Sequence, residues 1–248
     1  MGRIVFSVEG PVATIELDNP GAHNAVDAPM RDGLVAAYER VEADDDIRVA
    51  IVRGTGGSFC AGGSIDGYLE AKVFGPDADA LPKIPRPYPA RKPYIAAMTG
   101  YALGGGFALA LSCDLRVVGR GARMGPTGMK FGAVQGAQTI SRLTRLIGAS
   151  RALGVLLLSK RIDGEQAERI GLAHALVDDG EVFATARAMA ETVASFSPWS
   201  VTMTKKLVYE TQHLPLDESI LREDAVAAEG YRRPEALAAF GAFKERKS

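Results

Sequence analysis

The stretch that most constrains the fold runs from residue 94 to residue 119, "YIAAMTGYALGGGFALALSCDLRVVG". It opens with a short apolar strand-like run, "YIAAM". It then passes through three consecutive glycines, Gly104 to Gly106, directly into the apolar helix-like run "FALALSCD", and ends in a second strand-like run, "LRVVG". Glycines in such number cost chain entropy, so a backbone group there has either a close neighbour or a task. Strand, glycine turn, helix and strand in this order are the makings of an α/β core.

The remainder of the chain extends that pattern. Ile4, Phe6 and Val8, then Ala13, Ile15 and Leu17, alternate with period two across Glu9-Gly10, as in a β-hairpin. From Asp27 the period lengthens. Met30, Leu34, Tyr38 and Val41 recur every three to four residues, with Asp27 placed as N-cap and Pro29 in the first turn. "RVAIVRG" (48–54) reads as a buried strand ahead of the glycine-rich loop "GTGGSFCAGG", and the strands at 94–98 and 115–119 are each expected to follow a helix. Beyond residue 136 the pattern is mainly helical. Asp163 and Gln166 form a capping box, Gly171 suits a helix end, and "AHALV" (173–177) is a short apolar run. Helices are expected at about 181–196, 200–212, 216–228 and 234–241, and the proline-rich segment 76–93 reads as a surface excursion over a cleft.

Composition narrows the function classes. The chain has 248 residues, and a net charge of −1 offers no electrostatic argument for nucleic acid or an anionic membrane. Two cysteines, Cys60 and Cys113, are too few for a disulfide framework or a zinc site, and His23, His174 and His213 make no ligand spacing with them. With no long apolar run and no signal-like start, the expectation is a cytoplasmic, metal-free protein.

Neither glycine loop fits a phosphate. The loop from Gly54 to Gly63 ends "CAGGSI" without the Gly-Lys-Ser/Thr of a Walker A loop. Its glycines also miss the dinucleotide spacing, with Phe59 where a glycine is required. The triplet Gly104–Gly106 has no basic residue beside it. Two readings stay open: tight strand-to-helix packing, or a pair of backbone N–H groups from separate glycine turns converging on one carbonyl oxygen, one of them at a helix N-terminus. Spacing alone does not say whether the loops meet.

Four segments, "SFCAGGSI", "KPYIAAMTGYALGGGFALALSCDLRVV", "RLTRLIGASRALGVLLLSKRIDGEQAERIGLAHALV" and "TMTKKLV", together resemble the crotonase (enoyl-CoA hydratase/isomerase) superfamily over nearly the whole chain. The resemblance implies an α/β fold with a ββα spiral core over 1–195 and a helical C-terminal trimerisation region over 196–248, assembled as a homotrimer or dimer of trimers. It also implies a lyase, isomerase or hydrolase of lipid metabolism whose substrate is an acyl-CoA thioester, with coenzyme A as part of that substrate, no other cofactor and no metal. The N–H groups of Gly63 and Gly105 would form the oxyanion hole. Ala25, within "HNAV", and Ala61 and Ile65 would lie along the coenzyme A. Phe240, Phe243 and Lys244, in "AAFGAFKERK", resemble the segment that closes over it; the two phenylalanines are equally readable as helix packing.

The resemblance also exposes two departures. Hydratases of this family use two glutamates as acid and base, and here those positions are Ala108 and Gly128. One group must give a proton while the other takes one, so ordinary hydration is not encoded at these positions. Asp66, with Tyr68 and Glu70, is a candidate substitute, or else a solvated or capping residue of a short helix. "TGMKFG" (127–132) resembles the "TGPKVG" of the dihydroxynaphthoyl-CoA synthase branch, in which glycine replaces the second glutamate and a bound bicarbonate serves as base. That makes Thr127 and Gly128 a candidate anion slot, although the branch's acidic residue falls on Gln135 and its serine on Ala133. Three functions are thus open: a crotonase-fold acyl-CoA enzyme with non-standard catalytic groups, a non-catalytic acyl-CoA binding or carrier protein, and anion-assisted C–C bond chemistry on a cyclic acyl-CoA.

Overall fold

The N-terminal hairpin forms where the period-two alternation places it. Strand β1 (Arg3–Glu9) pairs antiparallel with β2 (Val12–Asp18), whose residues are buried along most of their length. The computed structural model describes residues 1–70 and 83–245, apart from the side chains of Asp66, Tyr68 and Glu70.

Helix α1 (Ala28–Ala43) starts at Asp27, whose carboxylate accepts from Met30 N at 3.1 Å and from Gly2 N at 2.8 Å. Its buried stripe is Met30, Leu34, Ala37, Tyr38 and Val41, spaced as one helical face requires. At its far end the ammonium of Lys92, itself buried, donates to the carbonyls of Val41 and Asp44. These are orphan carbonyls of the last turn, and a cation there also meets the negative end of the helix dipole.

Strands β3 (Val49–Gly54), β4 (Tyr94–Met98) and β6 (Leu115–Gly119) then run parallel beside β2, and β9 (Ala175–Val177) completes a six-stranded sheet in the order β1-β2-β3-β4-β6-β9. Both strands expected to follow a helix do so in the order of described elements: β4 comes after α2 (Ile65–Glu70), and β6 after a helix of its own. It is reached from α3 (Gly105–Ser112), a helix buried from Gly106 to Ser112 as its unbroken apolar sequence demands. The described residues ahead of β4, 83–93, carry no helix, because prolines at 85, 87, 89 and 93 remove the N–H groups that a helix needs. A second, three-stranded sheet of β5 (Tyr101–Leu103), β7 (Arg123–Gly125) and β8 (Ile162–Asp163) went unread in the sequence, since strands of two or three residues show no period.

Short helix α2 (Ile65–Glu70) follows the first glycine loop. Helices α4 (Thr139–Ile147), α5 (Ala149–Leu157) and α6 (Gly164–Arg169) precede β9, and the carboxylate of Asp163 caps α6 by accepting from Gln166 N at 2.8 Å. Helix α7 (Val182–Ala194) leads to α8 (Pro198–Thr211), α9 (Leu216–Tyr231) and α10 (Pro234–Glu245). The chain divides into two compact units, Met1–Thr192 and Val193–Ser248, the second of them helical.

One side chain fixes the approach to the first glycine loop. Asn24 is fully buried at a left-handed φ of 58°. Its amide nitrogen donates to Thr55 O at 2.8 Å and Ser58 O at 2.6 Å, while its amide oxygen accepts from Asn19 N at 2.8 Å. Buried groups that lose such partners cost about 1–3 kcal/mol each. Asn24→Ala is therefore expected to lower the unfolding free energy by about 2–4 kcal/mol in chemical denaturation. Asn24→Asp should do at least as much damage, because it loses both donors and buries a charge. A change under about 1 kcal/mol for either would show that the loop does not depend on this amide.

Candidate functional site

The two glycine loops do meet. The backbone of the first loop enters the second sheet's neighbourhood through Cys60, whose N–H donates to Tyr101 O at 2.8 Å and whose carbonyl accepts from Leu103 N at 2.9 Å. Gly106 sits so close to that carbonyl that a Cβ at position 106 would overlap the Cys60 oxygen. Glycine is thus a steric requirement here. On the other flank, residues 23–26 run beside 61–64: Ala61 N donates to His23 O at 2.9 Å, Val26 N to Gly62 O at 2.8 Å, and Ser64 N to Val26 O at 2.9 Å.

These contacts bring Gly63 and Gly105 face to face. A Cβ built on Gly105 would lie 3.7 Å from Gly63 N and 2.7 Å from Cδ1 of Ile84, whose buried side chain closes over the glycine. Among the described residues neither the Gly63 N–H nor the Gly105 N–H donates a hydrogen bond to the backbone or to a side chain. Gly105 is the first residue of α3, so its N–H also carries the positive end of that helix's dipole. Ala25 and Ala61, each half-buried, lie on the paired segments that flank Gly63. Ile65, just beyond, is 62% exposed.

No acid stands at the two positions where the resemblance looks for one. Ala108 is buried on α3, its N–H bonded to Gly104 O at 3.0 Å. Gly128 starts the turn 128–131, and a Cβ there would come within 2.9 Å of Ala133 O and 3.2 Å of Gln135 N. The N–H groups of Thr127 and Gly128 do not await an anion. The side-chain oxygen of Gln135 accepts from both, at 3.0 and 2.9 Å. An incoming anion would have to displace an amide that the chain already supplies. Asp66 belongs to α2, but its side chain, like those of Tyr68 and Glu70, lies outside the described residues.

Other reactive groups near the loops are quiet. Burial pushes the Cys60 thiol up to about 12, so it holds its proton at physiological pH and is no nucleophile. Burial likewise raises Tyr38 and Tyr94, whose rings meet edge to face at 5.7 Å. Among the described residues no three His, Cys, Asp or Glu side chains gather as a metal site, and no helix is long and apolar enough to cross a membrane. Phe240, Phe243 and Lys244 lie on α10 in the second unit, where both phenylalanines are exposed and the Phe240 ring stacks on Tyr231 at 6.2 Å.

Three residues at the first unit's site escaped the sequence as site residues: Ile84, Arg86 and Gln135. The alternation of prolines in "KIPRPYPA" was the only local signal for the first two. Gln135 was visible only as the residue standing where a related branch has an acid.

A sheet of mainly parallel strands, with two glycine loops joined edge to edge and a buried helix springing from the second, defines a class. The family model described as enoyl-CoA hydratase/isomerase matches residues 7–248. The chain is 34% identical over 245 residues to a (E)-benzylidenesuccinyl-CoA hydratase of Thauera aromatica, covering 96% of this chain and 95% of that one. It is 32% identical to a probable mitochondrial enoyl-CoA hydratase of Dictyostelium discoideum, covering 97% and 87%. The crystal structure of an enoyl-CoA hydratase from Mycobacterium tuberculosis H37Rv superposes with a TM-score of 0.89 at 30% identity, covering 98% of this chain and 96% of that one. The chain belongs to the enoyl-CoA hydratase/isomerase family and has the crotonase fold.

The Gln135 bridge can be tested directly. Gln135→Ala leaves two half-buried N–H groups without their acceptor and is expected to cost about 1–2 kcal/mol in thermal or chemical unfolding. Gln135→Glu keeps an acceptor for both and should be tolerated. Equal stability of Gln135→Ala and the parent would remove the bridge's structural role.

Proposed function

We propose that this chain binds an acyl-CoA thioester with its carbonyl oxygen between the N–H groups of Gly63 and Gly105, and polarises it for chemistry at the acyl carbons. The observation that carries the reading is the pair of backbone N–H groups, close to each other beside Ile84 and, among the described residues, without partners of their own. Such donors cost no reorganisation when negative charge develops on the oxygen, and the dipole of α3 adds to them. Family membership supports an acyl-CoA substrate, and the relatives named as hydratases support an enoyl thioester among its substrates. Ala25 and Ala61 flank the loop along which the coenzyme A portion would lie.

Once the carbonyl is polarised, the chemistry departs from ordinary hydration. Addition of water across the double bond needs one group to take a proton and another to give it, and neither Ala108 nor Gly128 can do so. A positioned acid or base contributes about 10²–10⁴-fold, so hydration of crotonyl-CoA should be slower by at least that factor than in a relative carrying both acids. Asp66 is the proposed source of a substitute proton carrier, on the helix that follows Gly63. The Gln135 oxygen on Thr127 and Gly128 favours this internal route over an anion-assisted one.

Butyryl-CoA, which lacks a double bond, should bind in calorimetric titration; absence of binding would sink the reading. Gly105→Ala places a methyl group between the two donors at the expense of a shift in Ile84, and is expected to lower whatever turnover is measured by about 10²–10³-fold with the fold retained. Ala108→Glu should raise crotonyl-CoA hydration, followed as loss of the conjugated-thioester absorbance. Gly128→Glu should instead reduce stability, since its Cβ would press on Ala133 O. Unchanged turnover in Gly105→Ala would move the oxyanion away from this pair.

A further inference from the structure

The segment carrying Ile84, Arg86 and Tyr88 lies along α3, pinned at both ends. At one end Ile84 covers Gly105, the first residue of the helix. At the other, the Tyr88 ring lies under the guanidinium of Arg142, 4.4 Å from its centroid, and Arg142 Nη1 donates to Leu111 O in the last turn of the helix at 3.4 Å. Gly105 and Leu111 are about 9 Å apart along the helix axis, within reach of the four extended residue steps from 84 to 88. Arg86 stands two residues on from Ile84 and feels the charge of Arg142. On its other side Tyr38 O–H donates to Pro85 O at 3.3 Å, which fixes the segment against α1.

Arg86 is the odd member of this arrangement. Its Nε and Nη1 atoms are buried and have no hydrogen-bond partner, and among the described residues no carboxylate pairs with it. Burial pulls the Arg86 guanidinium below its usual value, and the like charge of Arg142 adds to that effect. The residue as a whole is half-buried, but two of its guanidinium nitrogens are shut off from water without an acceptor, which costs free energy that a bound anion would return. The carbonyls at the end of α3 do not compensate it. Arg116 already takes those of Ala110 and Cys113, and Arg142 that of Leu111. Where a hydratase glutamate would stand, the small side chain of Ala108 leaves the helix face without negative charge. The site therefore holds the positive charge of Arg86 and no acid at position 108.

We propose that Arg86 receives a carboxylate carried by the acyl group itself, so that the thioesters this chain prefers are short dicarboxylic acyl-CoAs. The proposal rests on the acyl-CoA reading of the Gly63–Gly105 pair. Arg86 is two residues from Ile84, which covers Gly105, so at most about 7 Å of extended chain separates them, a span that suits a diacid of about five carbons. A carboxylate accepting from Nη1, or from Nε on the other side of the guanidinium, would form a charge-assisted hydrogen bond, roughly twice as strong as a neutral one.

The test uses the full chain and two saturated ligands, so no turnover enters. Glutaryl-CoA is butyryl-CoA with a carboxylate on the terminal carbon. Calorimetric titration of the wild-type protein should show glutaryl-CoA binding more tightly, on the order of tenfold to a hundredfold, as expected for a charge-assisted pair. Arg86→Met, which relieves a buried charge and so should unfold no more readily than the parent, is expected to bring glutaryl-CoA down to the butyryl-CoA value. Equal affinity for the two ligands in the wild-type protein would overturn the assignment and leave the acyl-CoA reading standing. A glutaryl-CoA preference that persists in Arg86→Met would overturn it as well. If free acetate tightens butyryl-CoA while glutaryl-CoA gains nothing, Arg86 serves a free anion and the dicarboxylic substrate is wrong. If neither thioester binds, the acyl-CoA reading falls and this inference with it.

Discussion

The seating of Gly106 on the Cys60 carbonyl is the contact on which the rest of the site depends. With any side chain at 106 the two loops would have to part, because the overlap is with backbone and not with a flexible side chain. The Leu103-to-Cys60 hydrogen bond locks the same approach from the strand side. Only at this separation do Gly63 and Gly105 face one another, and only then does the start of α3 lie where its dipole can act on a bound oxygen. The fully buried Asn24 supports the first loop from beneath by holding Thr55, Ser58 and Asn19 together.

Most polar groups elsewhere in the first unit are satisfied, the buried hydroxyl of Thr139 being another exception. Lys92 and Arg116 close the ends of α1 and α3, Asp27 and Asp163 open α1 and α6, and Gln135 serves two adjacent N–H groups at once. A chain that spends side chains so consistently on its own backbone has left the N–H groups of Gly63 and Gly105, and the guanidinium of Arg86, without partners. These half-buried groups have donors to offer a ligand, and a thioester carbonyl followed by a second carboxylate supplies acceptors for them. Ala108 and Gly128 then read as parts of a site whose charge pattern differs from that of a two-glutamate hydratase.

Much of the fold was legible from residues alone because its signals are local. Strands β3, β4 and β6 were read nearly to their ends, since glycine, proline or a change of period bounds each of them. Helices α1 and α6 were read from their caps, Asp27 and Asp163, which act within three residues of themselves. The short strands β5, β7 and β8 were not legible, because two or three residues show no period. The site was less legible than the fold. Gly63 and Gly105 are 42 positions apart, a separation at which no periodicity operates, and they were singled out through resemblance.

By itself the sequence determined the alternation of strand and helix, the caps, the family and the absence of acids at 108 and 128, because each of these is written in residue identity at short range. The tertiary structure alone decided that the two glycine loops touch, that Gln135 fills the turn at Thr127 and Gly128, and that Arg86 lies unpaired beside α3. Those facts depend on backbone hydrogen bonds and packing between residues far apart in the chain, and no local pattern in the sequence records such contacts.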